Sequence, residues 1–405
     1  MAGPDDFSVL IAHPSRQHSH RLAAALHKVG LLCSYCTLLP TRNSLGFFPR
    51  MLDFLLPGSI IRNRIDGIPP NLISVLIGPL LIHKFFSRLR INSLIDFGEL
   101  VTWVIFDHWV AKQVSRRRPD LVIGYEMCSV KTFSEAKKYD IPCVLDAAAC
   151  HYLWADRQLP KFRSRSLSKV GRLLRDRKKL EADLADLVIC TSNLAMKTYA
   201  NAGVPSNRLV VNHPGCDIKL FYPAEKNKSS AGVSFIYIGQ LEYHKGIDLL
   251  ISVFDRILEN HPNAKLTIIG SGKLSGLLKR RKHITYLGQL DQRDIGFYLR
   301  KADCLILPSR CDSYGMVVAE ALASGVPAIV SENAGASELI QVGINGWTIE
   351  SGASDALFDR MSKCCDAVDQ LRAMANKCAS TSSLRSWDQY GDRAVRLLKS
   401  LGARE

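Results

Sequence analysis

The sequence predicts an α/β protein with two doubly wound, Rossmann-like domains that face each other across a cleft. Three observations predict this fold. The chain has 405 residues, which is more than one compact hydrophobic core usually serves. Short apolar runs alternate with helical patterns, the arrangement that builds parallel sheets covered by helices on both faces. A polar stretch at residues 224–232, with the composition of a linker, divides this alternation into two series.

The first series contains predicted strands that are short runs rich in Val, Leu and Ile. They occupy residues 7–13, 31–38, 120–125, 143–146, 187–191 and 209–212. A helical pattern at residues 19–29 joins the first two strands. This series predicts one doubly wound domain over residues 1–218.

The second series begins after the polar stretch. Its predicted strands occupy residues 233–238, 265–269, 284–287, 304–307 and 328–331. They predict a second domain of the same type over residues 219–385. We expect residues 386–405 to form a C-terminal helix that crosses back to the first domain. Ligands in such folds bind beyond the carboxyl ends of the strands, so site residues are expected just after the apolar runs.

Composition indicates a folded protein with an anionic partner. Hydrophobic residues make up 47% of the chain and charged residues 22%, so neither disorder nor a fibrous repeat is expected. The formal net charge of +15 points to nucleic acid, a phosphate-bearing substrate or an acidic membrane surface. Residues 1–220 hold 30 basic and 18 acidic side chains, a net charge of +12, so the remainder carries only +3.

Two segments bear on membrane contact. Residues 161–179 alternate cationic and apolar side chains, which is typical both of a helix on anionic lipid headgroups and of a solvated helix face. Residues 67–83 lack Lys, Arg, Asp and Glu, but they contain prolines and are shorter than the ~20 apolar residues of a spanning helix. We expect them either to dip into a membrane interface or to form a buried connection between strands.

Cysteine usage and the N-terminus favour a cytoplasmic protein. The 12 cysteines are scattered, and many lie in apolar runs, as expected of free thiols in a reducing compartment. Cys33 and Cys36 form a lone CxxC pair, so no metal site is predicted. The acidic N-terminus does not suit a signal peptide.

The most informative stretch is residues 303–346. A predicted strand is followed by a loop that contains Asp312 and then by a helix that contains Glu320. This spacing lets both carboxylates face the strand ends, beside the unpaired backbone N–H groups of a helix N-terminus. The assembly suits a sugar diphosphate, with N–H donors for the phosphates and carboxylates for the hydroxyls.

Glycine turns after two other predicted strands support the same interpretation. One strand ends at Gly239, and Lys245 follows in a turn that closes at Gly246. The glycines permit close backbone approach, and the lysine can neutralise a phosphate. The next strand ends in a similar turn at Gly270.

In this order, these elements resemble the retaining glycosyltransferases of family 4, which share the GT-B fold with the glycogen synthases. The matching pieces are residues 215–217 with 221–223, the turns 239–246 and 270–272, residues 287–288 and 307–309, the acid pair Asp312 and Glu320, and residues 323–327, 335–338 and 343–346. The resemblance implies that the first domain binds the acceptor and the second binds a nucleotide-diphosphate sugar. It also implies that this sugar is a co-substrate and that no metal is required.

The resemblance implies roles for individual residues of the second domain. Glu320 would hold the ribose hydroxyls of the nucleotide, and Asp312 would hold hydroxyls of the donor sugar. Lys245 would neutralise the leaving diphosphate. Backbone N–H groups for the diphosphate and sugar would come from Tyr314, Gly315 and Met316. The remaining donor-binding residues would be Gly239, Gln240, Gly270 and Arg310.

Three features depart from the family's pattern. The first acid is usually Glu but is Asp312 here, which is one methylene shorter. The difference is expected to change either the preference for the donor sugar or only the position of the loop. The arginine of the diphosphate-binding pair is replaced by Gln240, so the positive charge must come from elsewhere. Arg310 and Arg16 are the candidates. The glycine-rich loop that usually follows the first strand is replaced by residues 13–18.

The family usually contributes a catalytic-region histidine from a loop of the first domain. His151 follows the predicted strand at residues 143–146 and is the residue we choose. His213, beside the interdomain hinge, is expected to be a packing residue. The alternatives are His13, His18 and His108.

The leading hypothesis is a retaining glycosyltransferase that moves a hexose from a nucleotide-diphosphate sugar to a saccharide or lipid-linked acceptor. It would act in surface polysaccharide or glycolipid synthesis, at the cytoplasmic face of the cell membrane, with the basic first domain contacting anionic lipid. Two alternatives stay open: a nucleotide-sugar epimerase of the same fold, and a non-enzymatic basic protein that binds a membrane surface or nucleic acid. An epimerase needs a further carboxylate pair, which the sequence does not reveal. Nucleic acid is the least favoured partner, because no recognition module is present.

Overall fold

Two parallel sheets organise the molecule. The computed structural model describes residues 7–15, 17–39, 65, 67–80, 82, 86, 91–160, 168–223, 232–278, 281–382 and 386–402. Arg16, residues 161–167 and residues 224–231 of the polar stretch lie outside this part of the chain. Every strand pair in the described residues is parallel.

The first sheet is built from residues of the first series. Its strands are β1 (Val9–Ala12), β2 (Leu32–Thr37), β3 (Ile73–Val75), β4 (Leu121–Tyr125), β5 (Cys143–Ala147), β6 (Leu187–Cys190) and β7 (Leu209–Val211). Their order across the sheet is β3-β2-β1-β4-β5-β6-β7. The strand order therefore reverses between β1 and β4.

The second sheet repeats this design. Its strands are β8 (Ser234–Ile238), β9 (Lys265–Ile269), β10 (Ile284–Tyr286), β11 (Cys304–Leu307), β12 (Ala328–Ser331) and β13 (Gly346–Ile349). Their order is β10-β9-β8-β11-β12-β13, so the reversal falls between β8 and β11. The predicted fold, with two doubly wound domains facing a cleft, is confirmed.

Helices cover both sheets. They are α1 (Ser19–Lys28), α2 (Asn92–Arg117), α3 (Val130–Lys137), α4 (Tyr152–Gln158), α5 (Lys169–Leu184), α6 (Asn193–Ala200), α7 (Ile247–Asn260), α8 (Gln292–Lys301), α9 (Met316–Ala323), α10 (Ser354–Asp366), α11 (Val368–Ala373), α12 (Ala375–Ser382) and α13 (Trp387–Gly402). Ser192 shows why one of them begins where it does, because its hydroxyl accepts a hydrogen bond from the Ala195 backbone N–H at the start of α6.

Each sheet has its own hydrophobic core. The first core includes the buried strands β1, β4, β5 and β6, and the second includes β8, β11 and β12. The C-terminal helix α13 belongs to the first core, where Tyr390, Ala394 and Leu398 are buried. Gly391 of this helix lies so close to α1 that a Cβ on it would be 2.6 Å from the Cβ of Ala25.

The apolar segment at residues 67–83 supplies an edge strand. Its described part contains a short 3-10 helix, Pro70–Leu72, followed by β3. The side chains of β3 are half-buried. Among the described residues, no helix has both the length and the apolar character needed to cross a membrane.

Candidate active site

Two loops meet at the reversal point of the second sheet. One follows β8 and contains Lys245, and the other follows β11 and contains Asp312. Nζ of Lys245 lies 2.5 Å from Oδ2 of Asp312, and the two side chains are only 20% and 8% exposed. Because β8 and β11 are neighbours in the sheet, the fold brings together residues that are 67 positions apart in the chain.

Gly246 allows these two loops to approach closely. Its φ of +71° lies in the left-handed region that favours glycine, and a Cβ there would be 2.0 Å from the carbonyl oxygen of Pro308. The backbone N–H groups of Arg310 and Cys311 donate to the carbonyl of His244 at 2.8 and 3.2 Å. The Lys245 turn is thereby fixed against the Asp312 loop.

The N-terminus of α9 forms part of the same site. The helix begins at Met316, directly after Gly315, whose φ of +88° turns the chain out of the Asp312 loop. Tyr314 is buried and donates its hydroxyl to the carbonyl of Pro214 at 3.3 Å. The first backbone N–H groups of a helix have no partner within the helix, so this end of α9 can bind an anion.

Glu320 lies in the second turn of α9 and is 7% exposed. Its carboxylate has no hydrogen-bond partner among the described residues. Burial raises the pKa of Glu320 to about 7. Burial and the nearby Glu320 carboxylate also raise the pKa of the Cys216 thiol to about 12. A buried carboxylate without a partner is suited to accept hydrogen bonds from ligand hydroxyls.

Two adjoining cavities open at these loops. The larger, a cleft of about 1000 Å³, is lined by both domains. Its lining from the second domain includes Lys245, Asp312, Tyr314, Gly315 and Met316. Its lining from the first domain includes Gln17, His18, His20, Arg21, Ala148 and Thr191. The smaller cavity, of about 700 Å³, shares Gln289 and Leu290 with the cleft.

The glycine turns after β8 and β9 form one wall of the smaller cavity. Its lining includes Gly239, Gln240 and Gly270. Gly270 has a φ of +140°, and a Cβ on it would lie 1.8 Å from the carbonyl oxygen of Gly239. The glycine at position 270 is therefore required by the close packing of the two turns against each other. Lys273 also lines this cavity and was not identified from the sequence.

Arg310 is held by the second domain itself. Its guanidinium donates to both carboxylate oxygens of Asp248, at 2.7 and 2.9 Å, and to the carbonyl of Tyr243, at 2.7 Å. It also lies 3.9 Å from the centroid of the Tyr243 ring. Neither Arg310 nor Glu320 is among the residues that line the two cavities, and the contacts of Arg310 fix the loop after β11. Gln240, by contrast, does line the smaller cavity.

His151 caps a helix. Its Nδ1 accepts a hydrogen bond from the Leu153 backbone N–H at 3.4 Å, at the start of α4. Its ring packs edge-on against Tyr199, with the centroids 5.1 Å apart. Burial lowers the pKa of His151 to about 4. His151 lines neither cavity.

His18 combines an ion pair with a place in the cleft. Its Nε2 lies 2.9 Å from Oδ2 of Asp146, which also accepts a hydrogen bond from the Tyr125 hydroxyl at 2.7 Å. Burial alone would lower the pKa of His18, but the charge and hydrogen bond of Asp146 outweigh it and raise the pKa. The sequence placed Asp146 at a strand end, but its pairing with a residue 128 positions away could not be read from spacing.

Hydrogen bonds join the two domains beside the cleft. The Ser313 hydroxyl donates to the carbonyl of Ala148 at 2.7 Å, and the Ser192 hydroxyl donates to the carbonyl of Ser313 at 2.7 Å. The Asn193 side-chain amide donates to Oε2 of Glu338, also at 2.7 Å. The Asp312 loop therefore contacts the first domain directly through Ser313.

The basic segment at residues 161–179 is helical where it is described, from Lys169 onward. Three of its cations form ion pairs within the first domain. Arg175 pairs with Asp156, Arg177 pairs with Asp107, and Lys178 pairs with Glu126. The exposed cations of α5 are Lys169, Arg172 and Lys179, and the large exposed apolar side chains are Leu173 and Leu180.

In the described ranges, no group of three or more His, Cys, Asp or Glu residues could hold a metal ion. Cys33 and Cys36 are free thiols. The charged and titratable side chains that line the cleft include Asp312, Lys245, Arg21 and His18.

Comparison with known proteins finds one family model that matches the part of the chain that forms the second sheet. Residues 220–379 match the family model of the glycosyl transferases group 1. The chain is 28% identical over 243 residues to a glycogen synthase of Mycobacterium tuberculosis, with 57% of this chain and 56% of that protein covered. It is also 28% identical over 211 residues to a protein of Corynebacterium glutamicum, a GDP-mannose-dependent monoacylated alpha-(1-6)-phosphatidylinositol monomannoside mannosyltransferase. That match covers 46% of this chain and 55% of the relative. The chain thus spans about half the length of these curated relatives.

Solved structures extend the comparison to the whole chain. HepE of Anabaena in complex with UDP superposes with a TM-score of 0.67 at 17% identity, covering 97% of this chain and all of HepE. At this identity the likeness shows the fold, which is GT-B. The matching family model and the names of these relatives are those of glycosyltransferases, apart from the glycogen synthase, which is named for its product.

Proposed function

We propose that the chain is a retaining glycosyltransferase of family 4 that moves a hexose from a nucleotide-diphosphate sugar to a saccharide or lipid-linked acceptor. One observation carries the proposal. At the carboxyl edge of the second sheet, the Lys245–Asp312 ion pair lies beside the start of α9, and Glu320, whose carboxylate has no hydrogen-bond partner in the described part of the chain, lies in the second turn of the same helix. This edge is where doubly wound domains bind nucleotides.

The donor is held by the second domain in this proposal. Glu320 accepts hydrogen bonds from the ribose hydroxyls, and Asp312 accepts them from the donor sugar. The diphosphate lies at the N-terminus of α9, against the backbone N–H groups of Gly315 and Met316, and Lys245 supplies the positive charge. Lys273 adds a cation on the smaller cavity, where the Gln240 position lacks one.

The transfer step uses positioning and charge stabilisation. An acceptor hydroxyl attacks C1 of the donor sugar, the bond from C1 to the diphosphate oxygen breaks, and the diphosphate leaves with the bonding electrons. The acceptor proton passes to the leaving phosphate. Lys245 and the helix N-terminus stabilise the charge that develops there, so no metal is required.

The acceptor lies on the first-domain side of the cleft. The name of the Corynebacterium relative includes a phosphatidylinositol glycolipid acceptor, which supports a lipid-linked acceptor here. The exposed cations and leucines of α5 favour peripheral contact with an anionic membrane at the cytoplasmic face.

A product analysis tests this function. The full chain is incubated with a panel of nucleotide sugars, including UDP-glucose and GDP-mannose, with and without simple glycoside and glycolipid acceptors, and the products are followed by proton NMR. The proposal expects an α-linked product from an α-linked donor. A β-linked product would overturn retention, and an epimerised donor without transfer would establish the epimerase alternative.

A further inference from the structure

A third cavity lies on the second domain, away from the cleft. Its volume is about 500 Å³, and it is lined by β13 and by helices α10, α11 and α12. The lining includes Gly343, which precedes the start of β13 at Gly346. The donor-side turns instead follow the carboxyl ends of β8, β9 and β11. Because all these strands are parallel, this cavity lies near the amino ends of the strands, whereas the proposed donor site lies at their carboxyl ends.

The charged residues that line this cavity are all cations. Arg360 and Lys363 come from α10, and Lys377 comes from α12. No Asp or Glu is among the lining residues. Within the described part of the chain, none of the three cations forms an ion pair. Positive charges that share one cavity repel each other, so an anion bound among them is stabilised by all three.

The rest of the lining is apolar and aromatic. Cys364, Leu371 and Met374 are buried beneath the cavity. The Trp347 ring forms one wall, and the Arg360 guanidinium carbon lies 5.1 Å from its centroid. Positions 360, 363 and 364 share one face of α10, because they are spaced by three and four residues. The helix therefore presents two cations and part of the apolar floor to the same space.

We infer that this cavity binds a small organic phosphate ester, with its phosphate held by Arg360, Lys363 and Lys377 and its organic part against Trp347 and Met374. The planar guanidinium of Arg360 can donate two hydrogen bonds to one phosphate, while the lysines act as point charges. An apolar floor with a few convergent polar groups is the usual composition of a small-molecule site. The inference does not depend on the reaction proposed for the cleft.

A binding experiment with a non-nucleotide probe tests this inference. Phenyl phosphate is titrated into the full chain by calorimetry and by tryptophan fluorescence, with phenol and inorganic phosphate as partial probes. We expect phenyl phosphate to bind more tightly than either partial probe, and its fluorescence signal to be lost in Trp347→Phe.

Matched variants locate the site. The double variant Arg360→Ala/Lys363→Ala is expected to weaken phenyl phosphate binding about tenfold or more, since the loss of even one charged hydrogen bond worth about 1.5 kcal/mol corresponds to about tenfold. The double variant Lys265→Ala/Lys282→Ala removes two exposed cations of the same domain and is expected to leave binding unchanged. Lys245→Ala, in the cleft, is also expected to leave it unchanged.

The inference would be overturned by no binding of phenyl phosphate, by equal binding to Arg360→Ala/Lys363→Ala, or by loss of binding in Lys245→Ala. Binding of an acidic peptide at these residues in place of phenyl phosphate would also overturn it. Because the probe lacks a nucleotide, each outcome is separate from the outcome for the donor site.

Discussion

Glu320 combines burial, a raised pKa and the lack of a hydrogen-bond partner among the described residues. Its pKa rises from 4.5 to about 7 because burial disfavours the charged carboxylate. The native state therefore holds the protonated form more tightly than the unfolded chain does. The stabilising effect of this difference is fully present below pH 4.5 and is lost as the pH rises through about 7.

The first prediction concerns stability. Glu320→Gln keeps the shape of the side chain but cannot ionise. At pH 8 we therefore expect its free energy of unfolding to exceed that of the wild type by about 1–3 kcal/mol, and its melting temperature to be higher. The difference shrinks toward pH 5. Thermal melts across this range check the effect, with the exposed Glu332→Gln as control. A melting difference that is the same at pH 5 and pH 8 would show that ionisation of the buried carboxyl is not its cause.

The second prediction concerns Lys245. Lys245→Ala removes a charge aimed at the leaving group and leaves Asp312 buried without its cation. Turnover is expected to fall about 100- to 1000-fold, the usual cost of losing one stabilising group for a developing anion. Steady-state kinetics and a thermal melt measure both effects, and the exposed Lys265→Ala serves as control. Turnover within about twofold of wild type would rule out this role for Lys245.

At the scale of elements, the glycine turns explain how the loops reach each other. Gly246 has a φ of +71°, and its missing Cβ leaves room for the carbonyl of Pro308. Gly276, in the 3-10 helix Lys273–Leu278, has no atom within 4 Å of a Cβ position. These two glycines therefore make a matched pair for a test of the loop packing.

The third prediction uses this pair. Gly246→Ala must separate the turn of Lys245 from the loop of Asp312, so it is expected to lower both stability, by about 1–3 kcal/mol, and activity. Gly276→Ala is expected to change neither. Urea unfolding and initial rates measure the two quantities. Equal stability of the two variants would show that the close contact at Gly246 does not fix the loop.

The central strands could be predicted from the sequence because they are continuous apolar runs that are buried on both faces. The edge strands β3 and β13 were not predicted, whereas the other two edge strands, β7 and β10, were predicted although they are just as short and only partly buried. Lys245 and Asp312 could be placed near each other because both follow predicted strands. The Arg310–Asp248 pairing could not be predicted, since it depends on how a loop side chain meets a side chain in the first turn of α7.

The basic helix α5 likewise forms side-chain pairings that could not be predicted from the sequence. Its alternation of cations and apolar residues predicted a helix, and α5 is one. The sequence could not show that Arg177 and Lys178 would pair with Asp107 and Glu126, which lie far away in the chain. Part of the positive charge of the first domain is therefore neutralised internally, and membrane contact depends on the exposed cations that remain.

At the scale of the whole molecule, the C-terminal helix joins the two halves of the chain. The chain leaves the second domain after α12, and α13 then packs on α1 and contributes Tyr390 to the first core. The backbone at Ser386 pairs with Cys216, at the connection between the domains. The hydrogen bonds of Ser313 and Asn193 complete the contact beside the cleft.

The fourth prediction tests this helix. Gly391→Leu places a large side chain where a Cβ would already lie 2.6 Å from Ala25. Stability is expected to fall by about 1–3 kcal/mol, because overpacking forces α13 away from α1. Asp392→Ala changes an exposed neighbour and is expected to have little effect. Calorimetric unfolding compares the two, and equal melting temperatures would mean that the helix does not need this close contact.

The central claim is that the second domain binds a nucleotide-diphosphate sugar through Glu320, and calorimetric titration of a donor panel tests it most directly. We expect at least one donor to bind the wild type and Glu320→Ala to weaken that binding about tenfold or more, since a hydrogen bond to a charged group is worth about 1.5–3 kcal/mol. The exposed Glu332→Ala should bind as the wild type does. Failure of every donor to bind, or equal binding by Glu320→Ala, would contradict the account.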